Sequence, residues 1–394
     1  MYTPLSLYRG IVLASLPLNV TREESFDPPF DHRGRDSQMP GAGTTSHHGK
    51  SEPRFLTTSD FDDSTYAALI LAGGDGVRLS TFTREVFGYH VPKQFCPLFE
   101  GKTLLEQTLD RVSLLVPPSK TLSVLNRAHR QFYTPIFNGT AFRNLFIQPE
   151  NRGTATAVLC ALLRLVETGH EGPVAIFPSD HYVSDDSLFM LHVSNALRAV
   201  QSSPQLTVLL GIAPDGPETE YGWIEPGSPL ALPGACVGKI SRIRRFLEKP
   251  SPEVARDLYD RNYLWNSFVL IANATTLLSL IAKATPELYE TFSGVRPFFG
   301  GAAEAEILQT LYRDLPTTDF SASVLAAFPA EFSVMPVKGV SWSDLGDPKR
   351  MVAAISHSGR YILGGNQNVP RSQPFPVTGG NEQINRAKAF QDHR

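Results

Sequence analysis

Between positions 66 and 357, short, continuously apolar runs alternate with segments of helical period, and this alternation most constrains the fold. The runs ALILA (68–72), TLSVL (121–125), NLFIQ (144–148), VAIF (174–177) and LTVLLGI (206–212) read as strands covered on both faces. Between the first two, Leu105, Leu109, Val112 and Val116 stand at i, i+4, i+7 and i+11, one face of a helix. Thr103 and Glu106 form a capping box at its start. Further helices are predicted at 154–166, near 188–200 and at 252–261. Strands alternating with helices predict an α/β fold, a three-layer, Rossmann-like, mostly parallel sheet. After position 222 the pattern loosens into RIRRFLEKP and the run WNSFVLI, and no internal repeat is found.

The flanks read differently. From 21 to 54 only Phe26, Phe30, Met39 and Ala42 are apolar, too little burial to offset ordering entropy. Residues 1–65 are therefore expected to be a disordered tail, 66–358 the folded domain and 359–394 a second disordered tail. His47 and His48 fall in the first tail and read as solvated histidines rather than metal ligands. With 36 Lys and Arg against 39 Asp and Glu, the chain has no global basic field for a nucleic-acid partner. No stretch approaches the roughly 20 apolar residues of a membrane span, and the run from 11 to 18 is too short for a signal peptide. Cys96, Cys160 and Cys236 are odd in number and far apart. They predict buried thiols in a reducing, cytoplasmic setting rather than a disulfide framework.

The first strand runs into LAGGDGVRL, where Gly73, Gly74 and Gly76 surround Asp75 and Arg78 follows. Glycines let backbone N–H groups approach an anion, and the arginine can neutralise phosphate charge; a simple tight turn accounts for the same residues. The motif is neither a Rossmann fingerprint nor a Walker loop. Lys93, fixed by Pro92, offers a second cation. Asp180 lies just past an apolar strand, where it suits either Mg²⁺ or the cap of the following helix. Glu248 and Lys249 read equally well as an exposed ion pair.

LAGGDGVRL, PKQFCPL and TLLEQTLDRV together resemble the opening of the sugar-phosphate nucleotidyltransferases, most of all the mannose-1-phosphate guanylyltransferases. The likeness continues in order through QPENRGTATA (148–157), FPSDH (177–181), ETEYGWIE (218–225), FLEKP (246–250), LWNSFV (264–269) and VSWSDLGDP (340–348). It implies a sheet of the nucleotidyltransferase type, with Mg²⁺ held by Asp180 and Asp344 and catalysis by Arg78, Lys93 and Asp180. Gly73, Gly74, Gly76, Gln148, Arg152, Gly153 and Thr154 would serve the nucleotide, although a helix-capping turn needs most of the last four. Gly222, Glu248, Lys249 and Asn266 would serve the sugar, Asn266 being otherwise a buried amide. His181 reads as structural, because a sugar phosphate is already an anionic nucleophile.

The activity so implied is GMP transfer from GTP to mannose 1-phosphate, with small-molecule substrates, no membrane, and a homo-oligomer left open. A different hexose 1-phosphate, or a catalytically silent nucleotide-sugar sensor, are the rivals. Four departures from the family pattern bear on sugar and base preference. Val77 replaces a threonine, Glu220 and Phe268 replace glycines, and an insert around 85–90 lengthens the stretch before Lys93. No β-helix or cupin extension follows, so isomerase activity is not expected.

Overall fold

The computed structural model describes residues 66–99, 101–139, 144–232 and 239–358. The two tails, with His47 and His48, and Cys236 lie outside the described residues. The strands are β1 (Ala67–Ala72), β2 (Pro97–Phe99), β3 (Lys102–Thr103), β4 (Thr121–Asn126), β5 (Leu145–Gln148), β6 (Pro173–Pro178) and β7 (Tyr182–Val183). They continue as β8 (Thr207–Ile212), β9 (Gly222–Pro229), β10 (Ser241–Glu248), β11 (Leu264–Asn273), β12 (Ser333–Val337) and β13 (Trp342–Ser343). Nine of them form one sheet in the order β5-β4-β1-β6-β11-β8-β12-β10-β9. Only β10 and β11 run against the rest, so the sheet is mixed but dominated by one direction.

The two-residue alternation of β1 builds the layers. Ala68, Ile70 and Ala72 join a core packed by the helices Leu104–Ser113 and Asp186–Ser202. Ala67 and Leu69 face the opposite core, filled by the helices Thr154–Glu167 and Ala274–Ala284. The capping box at Thr103 is formed: Glu106 N donates to Thr103 Oγ1 (3.1 Å) and Thr103 N to Glu106 Oε2 (2.8 Å). Inside the second core lies a buried ion pair. Arg164 Nη1 donates to Glu304 Oε1 (2.9 Å) and to the Leu145 carbonyl (2.8 Å), with both side chains under 10% exposed. Cys96 and Cys160 are buried free thiols, and burial pushes Cys96 up to about 12 despite Lys93 nearby. Among the described residues no helix is long and apolar enough to cross a membrane.

Candidate active site

The glycine loop leaves the end of β1 under tight steric limits. A Cβ on Gly73 would stand 2.6 Å from Gln148 Nε2, and Gly76, at φ 62°, would push one to 2.8 Å from the Lys93 amide. Gly74 faces open space. The loop is pinned from both sides. Buried Gln94 donates through Nε2 to the carbonyls of Ala72 (3.0 Å) and Gly74 (2.8 Å). The Asp75 carboxylate accepts from Asn151 (3.0 Å) and Asn126 (3.4 Å), with His129 Nε2 at 3.3 Å, and its carbonyl meets His90 Nε2 at 3.0 Å. His90 ends the inserted stretch, so that insert returns to brace the loop.

A two-stranded ribbon brings the segments that carry Asp180 and Asp344 together. β7 pairs antiparallel with β13, Ser343 opposite Tyr182 and Trp342 opposite Val183, which sets the residues flanking the two strands side by side. Lys93 joins them: its Nζ lies 2.8 Å from Asp180 Oδ2 and donates to the Asp344 carbonyl. The lysine side chain is 9% exposed and that of Asp180 32%. Burial opposes the charged form of Asp180, but Lys93 and then His181 outweigh it and hold the carboxyl below its ordinary value. The helix after β6 is capped by Asp185, whose Oδ1 accepts from Leu188 N (2.8 Å), so Asp180 is released from that structural duty.

Asp344 is itself held. Its Oδ1 accepts from Gly346 N (2.8 Å) and lies 3.3 Å from Arg350 Nε. Arg350 also meets Asp347 (3.0 Å) and Glu218 (3.1 Å) and stacks over Tyr221, 4.7 Å from its centroid. Asp180 and Asp344 are hard oxygen donors of the kind Mg²⁺ takes, one or two protein carboxylates beside substrate phosphates. Among the described residues no group of three or more His, Cys, Asp or Glu side chains forms a metal cage.

His181 packs edge-on against Trp342 at 5.1 Å. Burial, partly offset by Asp180, lowers it from 6.5 to about 4, so it is neutral at physiological pH. The unfolded chain therefore binds the extra proton between those values. This contribution to stability is full above pH 6.5 and falls, by about 3 kcal/mol, as pH drops through about 4. Melting temperature against pH should show a shallower acid limb in His181→Phe; an unchanged limb would contradict the assignment.

On the nucleotide side, Gln148 is buried at the end of β5, its Oε1 accepting from the Tyr312 hydroxyl (3.1 Å). The start of helix Thr154–Glu167 is packed against the segment 318–320. Ala155 N donates to the Thr318 carbonyl (3.0 Å), and the Thr154 hydroxyl donates to Asp319 (3.0 Å) and accepts from Phe320 N (2.8 Å). Arg152 donates to Glu150 (2.9 Å) and to the Arg313 carbonyl (3.0 Å). Gly153 is at φ 87° and ψ 169°, and a Cβ there would lie 2.2 Å from the Thr318 oxygen. Gly153→Ala is expected to cost about 3 kcal/mol or more, the sum of a glycine-only backbone and a backbone clash. Thermal unfolding measures it; a melting temperature within a degree of the wild type would contradict the geometry.

On the sugar side, β9 and β10 set Gly222 directly opposite Glu248, and a Gly222 Cβ would meet Glu248 Oε2 at 2.8 Å. Burial raises Glu248, as does Asp319, while Lys249 and Arg78 draw it back. Lys249 takes φ 44° and donates its N–H to the Tyr221 carbonyl (3.2 Å). Asn266 Oδ1 accepts from Phe268 N (3.0 Å), and Phe268 stands at φ 58°, which explains why glycine suits that position. The Phe268 ring packs edge-on against Phe320 at 5.8 Å. Arg78, 60% exposed, lies 3.9 Å from Glu220, so its cation is open to solvent instead of buried in the core.

The nucleotidyl transferase family profile matches residues 67–359. The chain belongs to that family. This nucleotidyl transferase is 30% identical over 307 residues to mannose-1-phosphate guanylyltransferase 2 of Escherichia coli O157:H7, covering 72% of this chain and 58% of the relative. It is 31% identical over 226 residues to the alginate biosynthesis protein AlgA of Pseudomonas syringae pv. tomato, covering 57% and 44%. The chain thus spans about half the length of the curated relatives it matches. A solved structure described as mannose-1-phosphate geranyltransferase from Thermus thermophilus superposes with a TM-score of 0.62 at 31% identity, over 74% of this chain and 79% of that one. Within the nucleotidyl transferase site, sequence reasoning missed Gln94, Asn126, Asn151, Asp319 and Arg350, which act through long-range contacts.

Proposed function

We propose that the protein transfers GMP from GTP to mannose 1-phosphate, releasing pyrophosphate. The observation that carries this reading is the meeting of Asp180, Asp344 and Lys93; relatives named for mannose-1-phosphate guanylyl transfer support the choice of sugar and base. A phosphate oxygen of the sugar attacks the α-phosphorus, the bond to the β-phosphate oxygen breaks, and pyrophosphate leaves with its electrons. Two anions must approach one another, so the task of the protein is positioning and charge neutralisation. The amides of Gly73, Gly74 and Gly76 lie along the triphosphate, with Arg78 and Lys93 as its cations. Gln148 orients the base, and Gly222, Glu248, Lys249 and Asn266 orient the hexose. Asp180 and Asp344 would hold Mg²⁺, which when bound supplies further neutralisation of phosphate charge.

The test is pyrophosphate release with Mg²⁺, each of the four nucleoside triphosphates and a panel of hexose 1-phosphates. Highest kcat/KM with GTP and mannose 1-phosphate is expected. Release with another pair would change the substrates and keep the chemistry. No release with any pair would turn the reading to a binding regulator.

A further inference from the structure

Neighbouring side chains of a regular strand leave opposite faces of the sheet, but β10 breaks that rule. Its pairing with β9 shifts register twice, between Ser241 and Ile243 and between Ile243 and Arg245. Such irregularities re-aim side chains and recur beside functional sites. Here two consecutive arginines reach one carboxylate: Arg244 Nη1 lies 3.1 Å from Glu225 Oε1 and Arg245 Nε 3.2 Å from Glu225 Oε2. Glu225 is 9% exposed, whereas the side chains of Arg244 and Arg245 are 75% and 54% exposed. The buried acid thus anchors two guanidiniums whose remaining donors face outward. Arg261 and Tyr263 complete the lining of a cleft of about 330 Å³.

Three guanidiniums bring roughly fifteen N–H donors, five apiece, against the two oxygens of Glu225. Asp257 pairs with Arg261 at 2.8 Å, and even so one positive charge remains in excess, in a chain whose net charge is -3. Glu225 lies three positions along β9 from Gly222, about 10 Å at strand rise, so the cleft is separate from the residues placed around the sugar.

We propose that this cleft is a second anion site, taking the phosphate or diphosphate group of a small molecule. Planar, forked donors match phosphate oxygens in pairs, which a lone ammonium does not. The inference does not rest on the proposed transferase reaction, because it uses none of that site's residues.

Calorimetric titration of the full chain with inorganic pyrophosphate, without divalent metal, tests it. Arg78→Ala controls for the active site, and a nucleoside diphosphate in a parallel arm distinguishes a nucleotide from free diphosphate as the preferred source. Binding is expected to persist in Arg78→Ala, to weaken at least ~10-fold in Arg244→Gln/Arg245→Gln, as for loss of charge-assisted hydrogen bonds, and to fall with added salt. Because that double change strands buried Glu225, Arg261→Gln, which leaves both its pairs intact, must weaken binding as well. Wild-type affinity in both arginine variants, binding lost in Arg78→Ala alone, or no binding at millimolar pyrophosphate would each overturn the proposal.

Discussion

Asp180→Asn is expected to lower pyrophosphate release by about 10² to 10³, the usual consequence of removing one preorganised charge from such a site. The substitution keeps the shape of the side chain and removes its charge. Lys93, 9% exposed, then lacks its counter-ion, so some thermal stability should go with the activity. Far-ultraviolet circular dichroism should still show the mixed α/β spectrum, since Asp185, not Asp180, caps the helix after β6. Turnover within threefold of the wild type would remove Asp180 from the reaction. Asp344→Asn should act in the same direction, with the added loss of a partner for Arg350.

The largest effect on stability is expected far from the cleft, at Glu304→Ala. Its carboxylate is the partner of Arg164, whose side chain is 2% exposed between Leu145 and the helix Glu304–Tyr312. Burial pushes Glu304 up and Arg164 down, so each ion resists being where it is. Such a pair adds little net stability, yet removal of one member takes away the carboxylate that balances a buried guanidinium at 2.9 Å, at about 3–5 kcal/mol. For a chain of this size that is a fall of roughly 10 °C in melting temperature. Replacing both residues by methionine should recover most of the loss. Scanning calorimetry of the two single variants and the double variant decides it, and a double variant as unstable as Glu304→Ala would sink the explanation.

How far the sequence could be read depends on the range of the forces involved. The central strands were legible because both faces of β1, β4, β5, β6 and β8 are covered, which leaves continuous apolar runs. β10 was not, because its two register shifts destroy the alternation that marks a half-buried strand. Gly76 could be picked out, since a positive φ demands glycine locally. That the segments of Asp344 and Asp180 lie side by side follows from the pairing of β7 with β13, a non-local event with no signature in spacing. The segment from Pro316 to Phe320 that packs over the helix start was hidden for the same reason: it bears no pattern linking it to Gly153.

One guanidinium serves three carboxylates that come from different parts of the chain. Arg350 opens the last described helix, Glu218 belongs to the loop before β9, and Asp344 and Asp347 follow the ribbon. The guanidinium at 350 therefore ties the loop before β9 to the segment after the ribbon, so a change at either end is felt by the acid at 344.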